Sequence, residues 1–290
     1  MARADSSARC ALGALFLAFF LCAAPVAQAG LIFGAPSYLP AGPGPRVVTL
    51  VDLDRDGAPD LLVLNDSTSV VTVFSGSGGM FSAPVTYPTG LFPVAMAMVD
   101  FDADGDLDMV TADSLGNTAS VLYGAEGLSF EPPYSLPTGA GPCAVTISPG
   151  FWGVAPGFET ANASGTLTHF EANGEREFFW RTEGDAGTNP CAVVSADIDW
   201  DREGDAIVAN GVPGADPGQL TLLFAEYEYY ERYYYYETSE LAAAAVPRAM
   251  AMGEFLNSGW LDLMVGSSGP EGATISIYPG DGVTPFGQPV

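Results

Sequence analysis

The sequence contains no lysine: its nine basic residues are all arginine, set against 35 acidic residues and one histidine. A net charge of −26 offers little to neutralise phosphate, which argues against nucleic acid and anionic membranes as partners. His169 has no Ser/His/Asp arrangement around it, and no glycine-rich loop is built to cradle phosphate. An enzyme reading therefore lacks its parts. Long apolar runs are missing after the N-terminus, so no membrane insertion is expected. Long helical periodicity is missing there as well.

The N-terminus reads as a secretory signal peptide, residues 1–29. Arg3 and Arg9 precede a charge-free run from Ala11 to Ala24, and Ala27-Gln28-Ala29 is a small-x-small cleavage site. The residues before Cys22 (Phe19, Phe20, Leu21) lack the small residue that a bacterial lipoprotein signal carries there. The expected location is secreted, extracellular or periplasmic. Cys10 and Cys22 leave with this segment. Cys143 and Cys191 remain, either as a bridge between neighbouring strands or as two buried thiols.

What the sequence has in abundance is turn-formers, 35 Gly and 23 Pro, among 48% hydrophobic residues. They recur with a period. Pro45, Pro93, Pro142, Pro190 and Pro247 stand 48, 49, 48 and 57 residues apart, and each precedes a small, apolar strand. A second strand opens at Asp60, Asp108, Asp205 and Asp262. A third ends on Phe74, Tyr123, Phe170, Phe224 and Tyr278. A fourth is expected from Phe81, Phe130, Phe178 and Phe286. Four short strands per unit of this length predict an all-β fold, a β-propeller of about five four-stranded blades. The units are about 43–91, 92–140, 141–188, 189–245 and 246–290. Residues 30–42 read as an extra outer strand that would close the ring; an incomplete ring is the other possibility.

Between first and second strands lies an acidic device. Asp52-Leu-Asp54-Arg-Asp56-Gly57-Ala-Pro-Asp60 returns as Asp100-Phe-Asp102-Ala-Asp104-Gly105-Asp-Leu-Asp108. Carboxylates on alternate residues around a sharp turn supply the oxygens that Ca²⁺ takes. They also repel one another, a penalty that a cation removes. A plain Asp/Gly turn, solvating itself, is the alternative.

These blades resemble FG-GAP/VCBS repeats, the family that builds integrin α-chain propellers and many secreted microbial proteins. Phe33-Gly34-Ala35-Pro36 spells the namesake tetrapeptide. The resemblance implies a Ca²⁺ ligand set at loop positions 1, 3, 5 and 9, which Asp52, Asp54, Asp56, Asp60 and Asp100, Asp102, Asp104, Asp108 satisfy. Repeat 4 keeps Asp197, Asp199, Asp201 and Asp205, but its Gly sits at position 8 and Arg202 stands at position 6. Repeat 5 (Glu254, Leu256, Ser258, Asp262) has a broken set, and repeat 3 has none. The resemblance further implies structural calcium and a binding or adhesion module for an extracellular protein or glycan, met through loops opposite the calcium loops; the alternatives are an enzyme or enzyme-associated propeller of polysaccharide lyase or phospholipase type, and a structural fragment of a larger assembly.

Several residues carry two readings. Trp152, Trp200 and Trp260 sit in the loops whose ligand set is lost or altered, as apolar plugs or as a carbohydrate contact patch. Plugging is the expectation; Trp180 is read as packing. The tract Glu226–Glu237 holds seven of the 12 Tyr and reads as a lengthened outer hairpin or a binding arm. His169 falls in the column of Val73, Leu122, Leu223 and Ile277, which predicts a half-buried strand residue. Asn65-Asp-Ser67 and Asn162-Ala-Ser164 match glycosylation sequons.

Overall fold

In each repeat three inner strands are joined by short turns into antiparallel meanders; the second strand of repeat 3, which no acidic column marks, runs Gly157–Asn162, and the third strands of repeats 3 and 4 run on past Phe170 and Phe224. The computed structural model describes residues 36–150, 155–211, 218–228, 233–243, 245–269, 272–281, 286 and 289. Blade 1 runs β1 (Pro45–Val51), β2 (Asp60–Asn65) and β3 (Val70–Phe74), a small ribbon of β4 (Gly76–Ser77) and β5 (Met80–Phe81), then β6 (Val85–Pro88). Blade 2 repeats the plan: β7 (Pro93–Val99), β8 (Asp108–Asp113), β9 (Thr118–Leu122), ribbon β10 (Gly124–Ala125) and β11 (Ser129–Phe130), and β12 (Tyr134–Pro137). Blade 3 is β13 (Pro142–Ser148), β14 (Gly157–Asn162), β15 (Thr166–Ala172) and β16 (Phe178–Asp185). Blade 4 is β17 (Pro190–Ala196), β18 (Asp205–Asn210), β19 (Gln219–Glu228) and β20 (Tyr233–Ala242). Blade 5 is β21 (Val246–Gly253), β22 (Asp262–Gly269) and β23 (Gly272–Tyr278), three strands among the described residues. Together they make an all-β, five-bladed propeller.

Outer strands are where the sequence reading needs correction. Phe81 and Phe130 do not open the fourth strand; they close the small ribbons, and the outer strands begin at Val85 and Tyr134. Pro84 and the pair Pro132-Pro133 lie between, and proline has no N–H to continue a ladder. Phe178 does open β16. Phe286 lies outside any strand and packs against the apolar cluster between blades 4 and 5. The extra strand expected at 30–42 is not seen in residues 36–42, and 30–35 lie outside the described residues. The tyrosine-rich tract lengthens a hairpin: β19 and β20 are 10 residues each, against 5 for β3, and pair continuously to Glu228 and Tyr233.

The proline column has a local reason. In every blade the ladder between first and second strands slips by one residue immediately after that proline, a β-bulge that tolerates the missing donor. In blades 1, 3 and 4 the bulged residue turns its side chain to the next blade, while Arg248 of blade 5 bonds to Ser268 of its own. Arg46 Nε donates to Val94 O at 3.2 Å, Cys143 Sγ to Pro190 O at 3.0 Å and Cys191 Sγ to Pro247 O at 3.3 Å. Cys143 and Cys191 are therefore two free thiols, not a bridge. Burial pushes the Cys143 thiol up to about 11, with the neighbouring Cys191 adding to it. In the chain from residue 30, both should react with a disulfide reagent at pH 8 at least about tenfold faster in urea than when folded; equal rates would contradict this placement.

Second strands are the most buried, as the middle layer between two neighbouring blades must be: β8, β14 and β18 are buried throughout. Four apolar clusters occupy the interfaces of blades 1–2, 2–3, 3–4 and 4–5. Phe158 stacks on Phe170 at 4.7 Å between blades 2 and 3. Each fully buried large side chain contributes about 1.5–3 kcal/mol. A polar column runs through the same layer. Asn65, Asp113, Asn162 and Asn210 end the second strands and bond to Thr72, Ser120, Thr168 and Thr221 on the third. Both sequon asparagines belong to it and are fully buried, so neither presents its amide to a glycan-transferring enzyme.

Candidate metal centres

Four of the five loops between first and second strands share one backbone design. The position-9 aspartate is fully buried in each (Asp60, Asp108, Asp205, Asp262) and clamps the loop. One oxygen accepts from the position-2 N–H: Leu53, Phe101, Ile198 and Phe255, at 2.7–2.8 Å. The other accepts from the end of the third strand: Gly76, Gly124, Ala225 and Gly280, at 2.7–3.1 Å. The position-1 carboxylate accepts the position-6 N–H: Gly57, Gly105, Arg202 and, from Glu254, Gly259. In the acidic loops the side chains at positions 3 and 5 each cap the N–H two residues on.

Two residues per loop are left-handed, not one. Position 4 is Arg55, Ala103, Trp200 or Asn257, with φ of 55–70°. Position 6 is Gly57, Gly105, Gly259 or Arg202, the last at φ 74°. The displaced glycine of repeat 4 therefore leaves the turn intact. Arg202 adopts the strained conformation itself, while Gly204 is needed for room, since a Cβ there would lie 2.4 Å from Ser148 Oγ of blade 3.

Carboxylate oxygens converge within 4.8 Å in three loops: Asp52, Asp54, Asp56; Asp100, Asp102, Asp108; and Asp197, Asp199, Asp205. Asp60, Asp104 and Asp201 stand outside those groupings. Each converging set contains one oxygen without a partner: Asp52 Oδ1, Asp100 Oδ1 and Asp197 Oδ1 are buried and bond to nothing. Buried carboxylate oxygens are ordinarily satisfied. These three occupy the same place in the three acidic loops, which is the fit a hard cation requires.

Charge and burial strain these groups. Desolvation raises the Asp108 carboxyl to about 6 and that of Asp205 to about 8; backbone N–H bonds oppose this, and neighbouring carboxylates add to it. Asp201 rises to about 6 for the same leading reason. An unfolded chain releases these protons near about pH 4, whereas the folded one keeps them until about 6–8, so the native state holds more protons across that window. Stability of the metal-free protein should therefore decline as pH rises from 4 to 8. Melting in chelator-treated buffer checks it: a lower midpoint at pH 8 than at pH 5 is expected, with calcium narrowing the gap.

The remaining candidates resolve differently. Trp200 and Trp260 do not plug their loops. They lie on the surface, 55% and 37% exposed, and meet edge to face at 5.2 Å across blades 4 and 5. The reason is the left-handed backbone at Trp200, which turns the side chain outward while the clamp keeps the interior. Trp152 lies outside the described residues. Trp180 is placed on β16 by its backbone. His169 is a mostly buried strand residue, its Nδ1 3.1 Å from Oε1 of the fully buried Glu159. The ladder puts it in the column of Val73, Val121, Leu222 and Ile277, one residue from the register expected in blades 2 and 4.

Residues 52–111 match the family of FG-GAP-like repeats. No curated protein is significantly similar to the chain. Among solved structures, a functionally unknown protein from Desulfotomaculum acetoxidans aligns with a TM-score of 0.58 at 13% identity, over 84% of this chain and 68% of that one. The Vibrio cholerae biofilm matrix protein Bap1 aligns at 0.45 and 16%, over 72% of this chain and 30% of its own. BBS1N, crystallised with ARL6DN, aligns at 0.45 and 12%, over 82% and 79%. The first of these shows a shared fold and nothing more.

Proposed function

With an FG-GAP-like repeat at residues 52–111 set in a five-bladed propeller, we propose that the chain is an exported, calcium-braced binding module for an extracellular protein or glycan. The carrying observation is the unpartnered buried oxygen repeated in three acidic loops. Ca²⁺ would be held by Asp52, Asp54, Asp56 and Asp60, by Asp100, Asp102, Asp104 and Asp108, and by Asp197, Asp199, Asp201 and Asp205. When bound, the ion supplies charge neutralisation, not chemistry. The chain's own residues clamp and orient the loops. No catalysis is assigned, since His169 is engaged by Glu159 and points into an interface between blades.

A binding role is supported by the exposed Trp200–Trp260 pair on the calcium-loop side. Paired exposed aromatics offer large contact area at low entropic cost. Among the described residues no helix is long and apolar enough to cross a membrane, and the charge of −26 disfavours polyanions. Isothermal titration of the folded chain with CaCl₂ tests the metal half: about three sites are expected, one fewer in Asp54→Ala. A protein and glycan array, with and without calcium, tests the other half, where Trp200→Ala with Trp260→Ala should abolish the signal. Absence of heat in the titration would end the calcium reading.

A further inference from the structure

Loop 2 already contains a cation. Arg176 stands in the turn between β15 and β16 of blade 3, with φ of 64°, and reaches back across the blade boundary. Its Nε donates to Asp102 Oδ2 at 2.6 Å; its other nitrogens lie 3.6 Å from Asp104 Oδ2 and 2.8 Å from Glu131 Oε1. The guanidinium stacks over the Tyr123 ring at 4.7 Å. The side chain of Asp102 is 6% exposed and that of Arg176 40%, so the contact is sheltered at its carboxylate end and open to water at the other, and its short charge-assisted hydrogen bond sets it apart from a looser surface bridge. Arg55 of loop 1 approaches the same loop more loosely, 3.9 Å from Asp106. Among the described residues, Asp52, Asp54 and Asp56 of loop 1 make no ion pair.

We propose that Arg176 is a tethered counter-cation of loop 2, which a divalent ion must displace from Asp102 and Asp104. This rests on the calcium reading above and refines it. Loop 1 is then the standing site and loop 2 the switchable one. An arginine cannot lose its charge to make way, so it leaves by rotating out. A divalent ion a few ångströms away repels it, most at the sheltered Asp102 end. Loading of loop 2 thus releases the 173–177 turn of blade 3 from blade 2, while in the metal-free protein the same contact holds the two blades together. The unpartnered Asp100 Oδ1 shows that the guanidinium reaches one side of the loop only: it neutralises positions 3 and 5 and leaves position 1 for an ion.

The test isolates loop 2. In the full chain carrying Asp54→Ala and Asp199→Ala, only loop 2 keeps its ligand set, and CaCl₂ titration reads that loop alone. Adding Arg176→Gln should tighten its Kd by about tenfold or more, while Arg176→Lys, which keeps the charge, should leave it within about threefold. The second readout is spectroscopic. With nine arginines and no lysine, the arginine Nε–H region of a ¹⁵N spectrum is sparse, and the hydrogen-bonded Arg176 signal should be present without metal and vanish as loop 2 fills. If calcium binds loop 2 but Arg176→Gln leaves Kd unchanged or weakens it, Arg176 supports the site and the proposal is overturned, with the calcium reading intact. If neither the parent chain nor the variants take up calcium, both fall.

Discussion

Chelating calcium should lower the melting temperature of the folded chain by about 8–32 °C. Extracellular sites of this ligand type have Kd of about 10⁻⁴–10⁻³ M. At 10 mM calcium each filled loop then adds about 1.4–2.7 kcal/mol through linkage to the folded state. Three loops add about 4–8 kcal/mol, and a chain of this size gains about 2–4 °C for each kcal/mol. Loop 4 lies two blades beyond loop 2, so its contribution should add independently, whereas loops 1 and 2 are joined by the Arg55–Asp106 contact and share theirs. Asp54→Ala removes one increment and Asp199→Ala another; loop 5, with Leu256 at position 3, contributes none. Differential scanning calorimetry in EGTA and in CaCl₂ measures the sum. A shift below about 2 °C, or one unaffected by Asp54→Ala, would leave the unpartnered oxygens of Asp52, Asp100 and Asp197 without an explanation in metal.

The second large effect separates the loop's architecture from its metal. Asp262→Asn should destabilise the protein by about 2–5 kcal/mol without altering calcium stoichiometry. Asp262 is fully buried in the blade whose ligand set is broken. Its Oδ2 accepts from Phe255 and Leu256, both at 2.8 Å, and its Oδ1 accepts from Gly280 at 3.1 Å. An amide has the same shape but one end donates, so a buried N–H meets another donor whichever way the group turns. Leaving such donors unmatched costs about 1–3 kcal/mol each, and more where the lost acceptor was charged. Urea unfolding, paired with calcium titration, reads both quantities. Asp60→Asn in blade 1 should cost stability in the same way and weaken calcium as well, which distinguishes clamp from ligand. A neutral Asp262→Asn would show that the clamp's hydrogen bonds contribute nothing net.

That clamp was only half legible. The sequence marks position 9 as an acid in four repeats, and spacing alone assigns it to a metal. Nothing local shows that both oxygens are already engaged by N–H groups from the loop and from a strand end 16–20 residues away. Its persistence in repeat 5, where the ligands at positions 3 and 5 are gone, was the available signal. Arg176 left no trace at all: its partner Asp102 lies 74 residues earlier, and only the packing of blade 3 on blade 2 brings them together.

The sequence by itself determined the repeat, the three inner strands of each blade, the acidic loops and the proline positions. Each depends on neighbours in the chain: alternation sets which strand faces are apolar, proline withholds a donor, and aspartates two apart surround the same turn. Tertiary structure alone decided that Cys143 and Cys191 bond to carbonyls of the following blade, that Trp200 and Trp260 meet on the surface, and that Asn65 and Asn162 are inside. Those outcomes turn on contacts between blades about 48 residues apart, where the energy of a side chain is set by what another repeat places against it, a quantity no local pattern contains.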